Sequence, residues 1–330
     1  MTVTIGIKAL NEEAHIAAAL ESAIAAAAPL GGEVVLADSG STDRTIAIAR
    51  RYPEVRIVQL ANYADRSCGA GAQLAYQAAQ MRYFYLLDGD MVLAPDFLAA
   101  ALAFLEANPD HAGVGGEVRE VETANLEFVL RASTAEKHKA QGGAFDVDRL
   151  DCGGLYRMEA IASVGYFADR NLHAFEEFEL GARLRAAGWR LARIDVAAVD
   201  HFGHSMRSAA LLWRRLRTGY AGAPGEVVRA ALGRPHWPIV ARRFSHLRHG
   251  LIVILWWFLL AAAVGGGSPT GMALLLILPV LFLWWRRGRI GLAFYSLLNW
   301  NVAALGLIQG LARRRAPPER LLAMRFLDEA

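Results

Sequence analysis

Cysteine is scarce, with two in 330 residues, Cys68 and Cys152. Far apart and without a second pair, they exclude a thiolate metal site and a disulfide-built domain. They fit a reduced compartment and allow at most one bridge. The opening Met1-Thr2-Val3-Thr4-Ile5-Gly6-Ile7 has no basic segment followed by a long apolar one, so no secretory leader is expected. No Gly-x-x-x-x-Gly-Lys-Ser/Thr phosphate loop occurs. Gly69-Ala70-Gly71 makes half of a Gly-x-Gly-x-x-Gly fingerprint, but Leu74 stands where the third glycine belongs. The segment also follows the third predicted strand rather than the first, which argues against a nicotinamide-dependent oxidoreductase. Acid is what the last third lacks: residues 203–330 carry 17 Lys/Arg against 4 Asp/Glu, whereas residues 1–202 carry 18 against 28. The overall charge of +3 therefore joins an acidic body to a basic one. Because the basic part also holds long apolar runs, an anionic membrane surface fits it better than nucleic acid.

What is present is organised around Tyr83-Phe84-Tyr85-Leu86-Leu87-Asp88-Gly89-Asp90-Met91. The apolar run reads as a strand buried on both faces, as in the centre of a parallel sheet. Two acids end it, where open α/β sheets hold ligands. With Gly89 between them, Asp88 and Asp90 can turn toward one hard cation, although Asp-Gly-Asp is also an ordinary turn.

Strands are expected at 3–9, 33–37, 55–60, 83–88, 113–121 and 190–199. Helices are expected at 11–28, 44–52 (capped by Ser41 or Thr42), 72–81, 97–107, 125–140, 158–163 and 173–187. The alternation is that of an α/β sheet. Glu177 lies three residues before Leu180 and shares its inward face at the start of a helix, where an acid is unexpected unless it lines a pocket. Glu179 and Arg183 are spaced as an i,i+4 ion pair.

Taken in order, Asn11-Glu12-Glu13, Asp38-Ser39-Gly40-Ser41-Thr42-Asp43, Asp88-Gly89-Asp90 (a DxD motif), Gly153-Gly154 with Arg157, and Glu176-Glu177 with Leu180 and Arg183 resemble glycosyltransferase family 2. The resemblance covers residues 1 to about 205. It implies a GT-A fold, a Rossmann-like mixed sheet flanked by helices, followed here by a C-terminal helical membrane-associated region. It implies transfer of a sugar, with inversion, from a nucleotide-diphospho-sugar carrying UDP or GDP. Asn11, Glu12, Asp38, Ser41, Arg66, Asp88, Gly153 and Gly154 would bind the donor, with Asp38 meeting base or ribose and Arg66 a phosphate. Asp90, with Asp88 and with His201 (preferred to His204), would hold a divalent metal, Mg²⁺ or Mn²⁺, whose charge makes the nucleotide diphosphate a better leaving group. Glu177 stands where the family usually has an aspartate as general base, and its extra methylene leaves Glu176 as the other choice. Lys8 also departs from the family, in which a proline or small residue is usual. A catalytically inactive GT-A-like scaffold of a membrane glycan-assembly complex is the alternative, and paired carboxylates without a cation argue against it.

Beyond the catalytic domain at 1–205, residues 206–249 read as a basic amphipathic, interfacial linker, with Trp213, Arg214, Arg215 and Arg217 among leucines. Residues 250–285 read as a hydrophobic hairpin whose runs sit near the lower limit for spanning, about 17 residues. Arginines at both flanks put its ends on the cytoplasmic side of the inner membrane. Residues 286–330 hold Asn299, Asn301, Gln309 and Arg313-Arg314-Arg315 and read as an interfacial or re-entrant helix with a basic tail. The Gln-x-x-Arg-Trp motif of processive relatives is missing, which favours single-sugar transfer. A site beside a membrane points to a lipid-linked acceptor, a polyprenyl phosphate or a polyprenyl-diphosphate-linked glycan, in polysaccharide or glycolipid assembly.

Overall fold

In the computed structural model, residues 2–121, 143–151, 153–202 and 208–327 are described. The helix expected at 125–140, Cys152 and His204 lie outside them. The chain divides into a first unit, residues 1–208 with 315–330, and a second, residues 209–314.

The first unit runs β1 (Val3–Ala9), α1 (Ile16–Ala27), β2 (Glu33–Asp38), α2 (Thr45–Ala49), β3 (Val55–Leu60), α3 (Cys68–Ala78), β4 (Tyr83–Asp88), β5 (Met91–Leu93), α4 (Phe97–Ala107), β6 (His111–Glu120), β7 (Phe145–Asp146), β8 (Gly154–Arg157), α5 (Met158–Ser163), α6 (Glu176–Ala186) and β9 (Arg190–His201). The second holds α7 (Ser208–Thr218), α8 (Ala223–Ala231), α9 (Trp237–Arg243), α10 (Ser245–Gly265), α11 (Pro269–Arg287) and α12 (Ile290–Ala312). After Arg314 the chain returns to the first unit and adds β10 (Met324–Phe326).

The strands order β10-β3-β2-β1-β4-β8-β6-β9-β5, with β7 beside β9. From β3 to β4 the pairing is parallel. β8 then inserts antiparallel between β4 and β6, which makes the sheet mixed. Apolar residues alternate between its faces: Tyr83, Tyr85 and Leu87 of β4 join one buried cluster, and Phe84 and Leu86 join the other. Burial on both faces is why this strand reads as an uninterrupted apolar run.

Several elements differ from expectation for local reasons. Arg44, not Ser41 or Thr42, is the N-cap of α2, and Asp43 just before it accepts from Thr45 N at 3.0 Å. The Gly69-Ala70-Gly71 loop is the first turn of α3, opened by the Ser67 hydroxyl, which accepts from Ala70 N. β8, β5 and β10 are too short to declare themselves by periodicity. β9 extends to His201 because Asp200 and His201 pair with both β5 and β6.

Within the second unit, α10, α11 and α12 are 21, 19 and 23 residues long and apolar enough to cross a membrane. α12 is one unbroken helix. Its Asn301, a polar group expected to resist burial, accepts a hydrogen bond from Trp257 Nε1 of α10 at 2.8 Å. Gly306 and Gly310, one turn apart, let α12 lie against the backbone of residues 221–226. A Cβ at Gly310 would stand 2.0 Å from Gly222 O, and smaller side chains than glycine do not exist. At the end of this contact the buried Glu226 pairs with Arg313.

Two glycines of one turn of α3 carry a test. A Cβ at Gly69 would fall 2.0 Å from Asp169 O, a backbone atom that cannot yield, whereas at Gly71 it meets Ser39 Oγ at 3.2 Å. Gly69→Ala is expected to cost about 3 kcal/mol, the upper end of overpacking. Gly71→Ala, which gains helix propensity, is expected to stay within about 1 kcal/mol of wild type in thermal melts.

Candidate active site

The carboxyl ends of β1, β2 and β4 carry the residues singled out by sequence. Lys8 and Asp88 are register partners on β1 and β4, and Asp38 is paired with Ala9 on the other side. Gly89 is required where the chain leaves β4, since a Cβ there would stand 2.9 Å from Glu12 Cγ.

Lys8 sits at the centre. Its Nζ donates to Glu176 Oε1 at 2.8 Å and lies 3.2 Å from Asp88 Oδ1, with its side chain 15% exposed. Burial alone would lower its pKa, but Asp88, Glu176 and Glu177 together raise it well above the usual lysine value. The departure from the family at this position therefore has a physical account: one ammonium holds two acids that would otherwise repel. Asp88 still titrates above the ordinary range, chiefly through burial.

Glu176 and Glu177 open α6, directly after Phe175, a non-glycine residue at φ +68°. That left-handed turn is strained and brings both acids to the helix start, where the dipole favours negative charge. Glu176 is buried and tied to Lys8; Glu177 is half-buried. Burial first, then the charge of Glu176, raises Glu177 to about 8. Glu12 is raised to about 8 as well, by burial and by the facing carboxylates of Asp90 and Asp88.

On the far side of the Asp-Gly-Asp turn, His201 Nε2 stands 3.4 Å from Asp90 Oδ2, and its Nδ1 is 2.7 Å from Glu120 Oε2. Burial pulls its pKa down, but the bonds to both acids outweigh that and raise it to about 10. A carboxylate on one ring nitrogen is the arrangement that orients a metal-binding histidine. Asp90 and His201 thus suit a divalent cation that takes its other ligands from phosphate and water. Among the described residues no group of three or more His, Cys, Asp or Glu converges as a complete ligand set. Asp88, held by Lys8, is the less suitable of the two aspartates.

The Asp38 loop corrects an expectation. Asp38 is fully buried, and its Oδ2 accepts from Gly40 N at 2.8 Å, Ser41 N at 3.0 Å and Gln59 Nε2 at 2.7 Å. It shapes the loop and presents no accessible atom to a base or ribose. Arg66 likewise folds onto the loop, donating to Ser39 O and Gly40 O at 2.8 Å, with its guanidinium 5.4 Å from the Tyr63 ring centre. Asn11, at φ +60°, accepts from Thr42 N, and its own N–H donates to Ser41 Oγ. Gly153, at φ +76°, and Gly154 lie against Tyr85 and Leu150 at the start of β8. Lys8, Glu120 and Gln59 were not picked out as site residues; register alone brings them here.

Arg183 is more than the expected i,i+4 ion pair. It is buried, bonds Glu179 at 2.9 Å, donates to Tyr166 O and Phe167 O, and lies 3.8 Å from the Tyr166 ring centre. It ties α6 to the segment against which Gly69 packs.

Residues 4–164 match the family model described as glycosyl transferase family 2. Over these residues, just under half of the chain, the protein resembles glycosyltransferase family 2. Among its relatives, the succinoglycan biosynthesis protein ExoA of Rhizobium meliloti is 27% identical over 222 residues, which are 64% of this chain and 66% of ExoA. The putative glycosyltransferase EpsE of Bacillus subtilis is 27% identical over 196 residues, 58% of this chain and 68% of EpsE. The match thus spans just under two thirds of ExoA. Of the solved structures, mannosyltransferase PcManGT from Pyrobaculum calidifontis, in complex with GDP-Man and Mn²⁺, aligns with a TM-score of 0.60 at 23% identity, over 92% of this chain and 86% of that one. S. aureus TarS 1–349 in complex with UDP-GlcNAc aligns at 0.53 and 16% identity, over 95% and 93%. These likenesses show the fold, and the mixed sheet of this chain is the GT-A fold.

Raised acid and histidine pKa values mean that the folded site binds more protons than the unfolded chain. Glu12 and Glu177 contribute stability that is full below about 4.5 and is lost as pH rises through about 8; His201 contributes in the same direction between 6.5 and about 10. Melting temperature is therefore expected to fall from pH 5 to pH 9, and Glu12→Gln to flatten the fall between 5 and 8.

Proposed function

We propose that this protein transfers one sugar, with inversion, from a nucleotide-diphospho-sugar to a lipid-linked acceptor. The observation that carries this reading is the run of facing acids in which Asp88, Glu176 and Glu177 surround Lys8 and Asp88 and Asp90 face Glu12. So many acids in one place suit a site that takes a divalent cation, a diphosphate and a hydroxyl. Binding of GDP-Man by PcManGT and of UDP-GlcNAc by TarS supports a nucleotide-sugar donor.

Glu177 is the general base. Lys8 holds Glu176, whereas Glu177 keeps a basic carboxylate with a pKa of about 8. It takes the proton of the acceptor hydroxyl while that oxygen bonds to the anomeric carbon. The bond from that carbon to the nucleotide diphosphate breaks on the opposite face, and its electron pair leaves with the diphosphate. Mg²⁺ or Mn²⁺, held by Asp90 and His201, would supply charge neutralisation for the leaving group. Lys8 keeps Asp88 and Glu176 in place, and Phe175 fixes the approach of Glu177.

The acceptor is read from the second unit, whose long helices expose Leu255, Phe258, Phe282 and Trp285, the last 82% exposed. Such surfaces suit lipid. That the chain leaves the first unit after β9 and rejoins its sheet at β10 supports an even number of membrane crossings. α10 and α11 cross, and α12 lies in the interface with its polar end paired to α8. The catalytic unit then faces the cytoplasm at the inner membrane, and the name of ExoA supports a place in polysaccharide or glycolipid assembly.

Purified protein in detergent is expected to release nucleotide diphosphate from one of a panel of UDP-, GDP- and dTDP-sugars, and to lose this on chelation or with Asp90→Ala. Release should increase as pH rises through about 8. Glu177→Gln should lower kcat by about 10²–10⁴ with donor binding kept; full activity in that variant would make Glu176 the base. In a cysteine-free background, a thiol at Ser268 should react with an impermeant maleimide only from the side opposite the catalytic unit, and thiols at Arg289 and Arg314 only from the catalytic side. Reaction at 289 and 314 from opposite sides would remove the even count.

A further inference from the structure

Residues 315–327 form a strap along the first unit that no sequence signal announced. Arg315 pairs with the buried Asp169, and Ala316 and Asn171 exchange two hydrogen bonds, at 2.8 and 2.9 Å. Arg170 donates to Arg320 O at 3.1 Å. Leu322, 3% exposed, exchanges a second reciprocal pair with the Gln77 side chain, at 2.9 and 3.2 Å. β10 then pairs antiparallel with β3, placing Arg325 opposite Gln59.

At that point the strap touches the candidate donor site. Arg325 Nε donates to Gln59 Oε1 at 2.9 Å, its Nη2 bonds the same oxygen, and Nη2 also donates to Tyr63 Oη at 2.8 Å. Tyr63 Oη donates to Gln59 Oε1 at 3.1 Å. With its oxygen so occupied, the Gln59 amide has one orientation left, and its Nε2 donates to Asp38 Oδ2 at 2.7 Å. Asp38 in turn holds Gly40 N and Ser41 N. The second partner of Arg325 reaches the same loop from above: the Tyr63 ring packs on Gly40, where a Cβ would stand 2.6 Å from Cε1, and lies under Arg66. Gly40 is at φ +92°, so this loop conformation depends on what braces it.

We propose that Arg325 is a positioning residue of the donor site. It sets the Gln59 amide and the Tyr63 ring, and through them the 38–42 loop at the carboxyl ends of β2 and β3, where an open α/β sheet takes its ligand. The residues after the membrane helices therefore belong to the machinery that binds nucleotide, and cannot be removed with those helices. This rests on the donor-site reading above.

The test uses the full chain in detergent, with UDP and GDP as probes in calorimetry and nucleotide release for kinetics. Arg325→Met is expected to weaken the nucleotide that wild type binds by about tenfold and to raise donor KM by a similar factor, with kcat within about twofold. Arg325→Lys, which keeps one donor to Gln59, should recover part of the loss. Tyr63→Phe combined with Arg325→Met should cost less than the two losses multiplied, because both act on Gln59. A lowered melting temperature with unchanged nucleotide affinity and KM in Arg325→Met would overturn the proposal and leave the strap a structural edge. Wild type that binds neither nucleotide nor releases one would overturn this proposal together with the donor-site reading. Wild-type activity alongside an unaltered Arg325→Met overturns this one alone.

Discussion

Crowding of negative charge at one end of one sheet is the constraint on which the rest depends. Glu12, Asp88, Asp90, Glu176 and Glu177 come from three separate stretches of chain, and burial, then mutual repulsion, raises Glu12, Asp88 and Glu177. Left uncompensated, such a cluster would open the sheet at its carboxyl edge. Lys8 between Asp88 and Glu176, and His201 between Asp90 and Glu120, are what hold it closed. The compensation is partial, and an excess of acid remains at the strand ends.

The sheet positions this cluster by register. β1 and β4 run parallel, so Lys8 and Asp88 emerge side by side. β8 inserts antiparallel between β4 and β6, which separates β4 from the pair β6 and β9 that delivers Glu120 and His201. Small residues allow the close approaches: Gly89 against Glu12, Gly69 against Asp169. The apolar second unit is inserted between β9 and β10 of this same sheet. The three long apolar helices are thereby tied at both ends to the first unit.

Much of this was legible in the chain. β1, β3 and β4 matched their expected bounds, and β2 came within a residue, because apolar runs bounded by turn residues carry a strong signal. The Asp-Gly-Asp pair and the two glutamates of α6 were found because acids at the end of apolar segments stand out. The partners of Asp38 and Arg66 were not legible for one reason: spacing shows that a residue is in a loop, but not whether its polar atoms point to a ligand or into the loop itself. Asp38 spends its carboxylate on Gly40, Ser41 and Gln59, and Arg66 spends its guanidinium on Ser39 and Gly40.

The sequence by itself determined the class of fold, the family resemblance, and the division into an acidic catalytic part and a basic apolar one, since these follow from periodicity, composition and local motifs. Tertiary structure alone decided which glutamate Lys8 takes and which partner His201 faces. It also decided that three residues near the C-terminus close the edge of the sheet beside β3. Lys8 and Glu176 are 168 positions apart, and Gln59 and Arg325 are 266. Contacts over such separations are set by strand register, which no local pattern encodes.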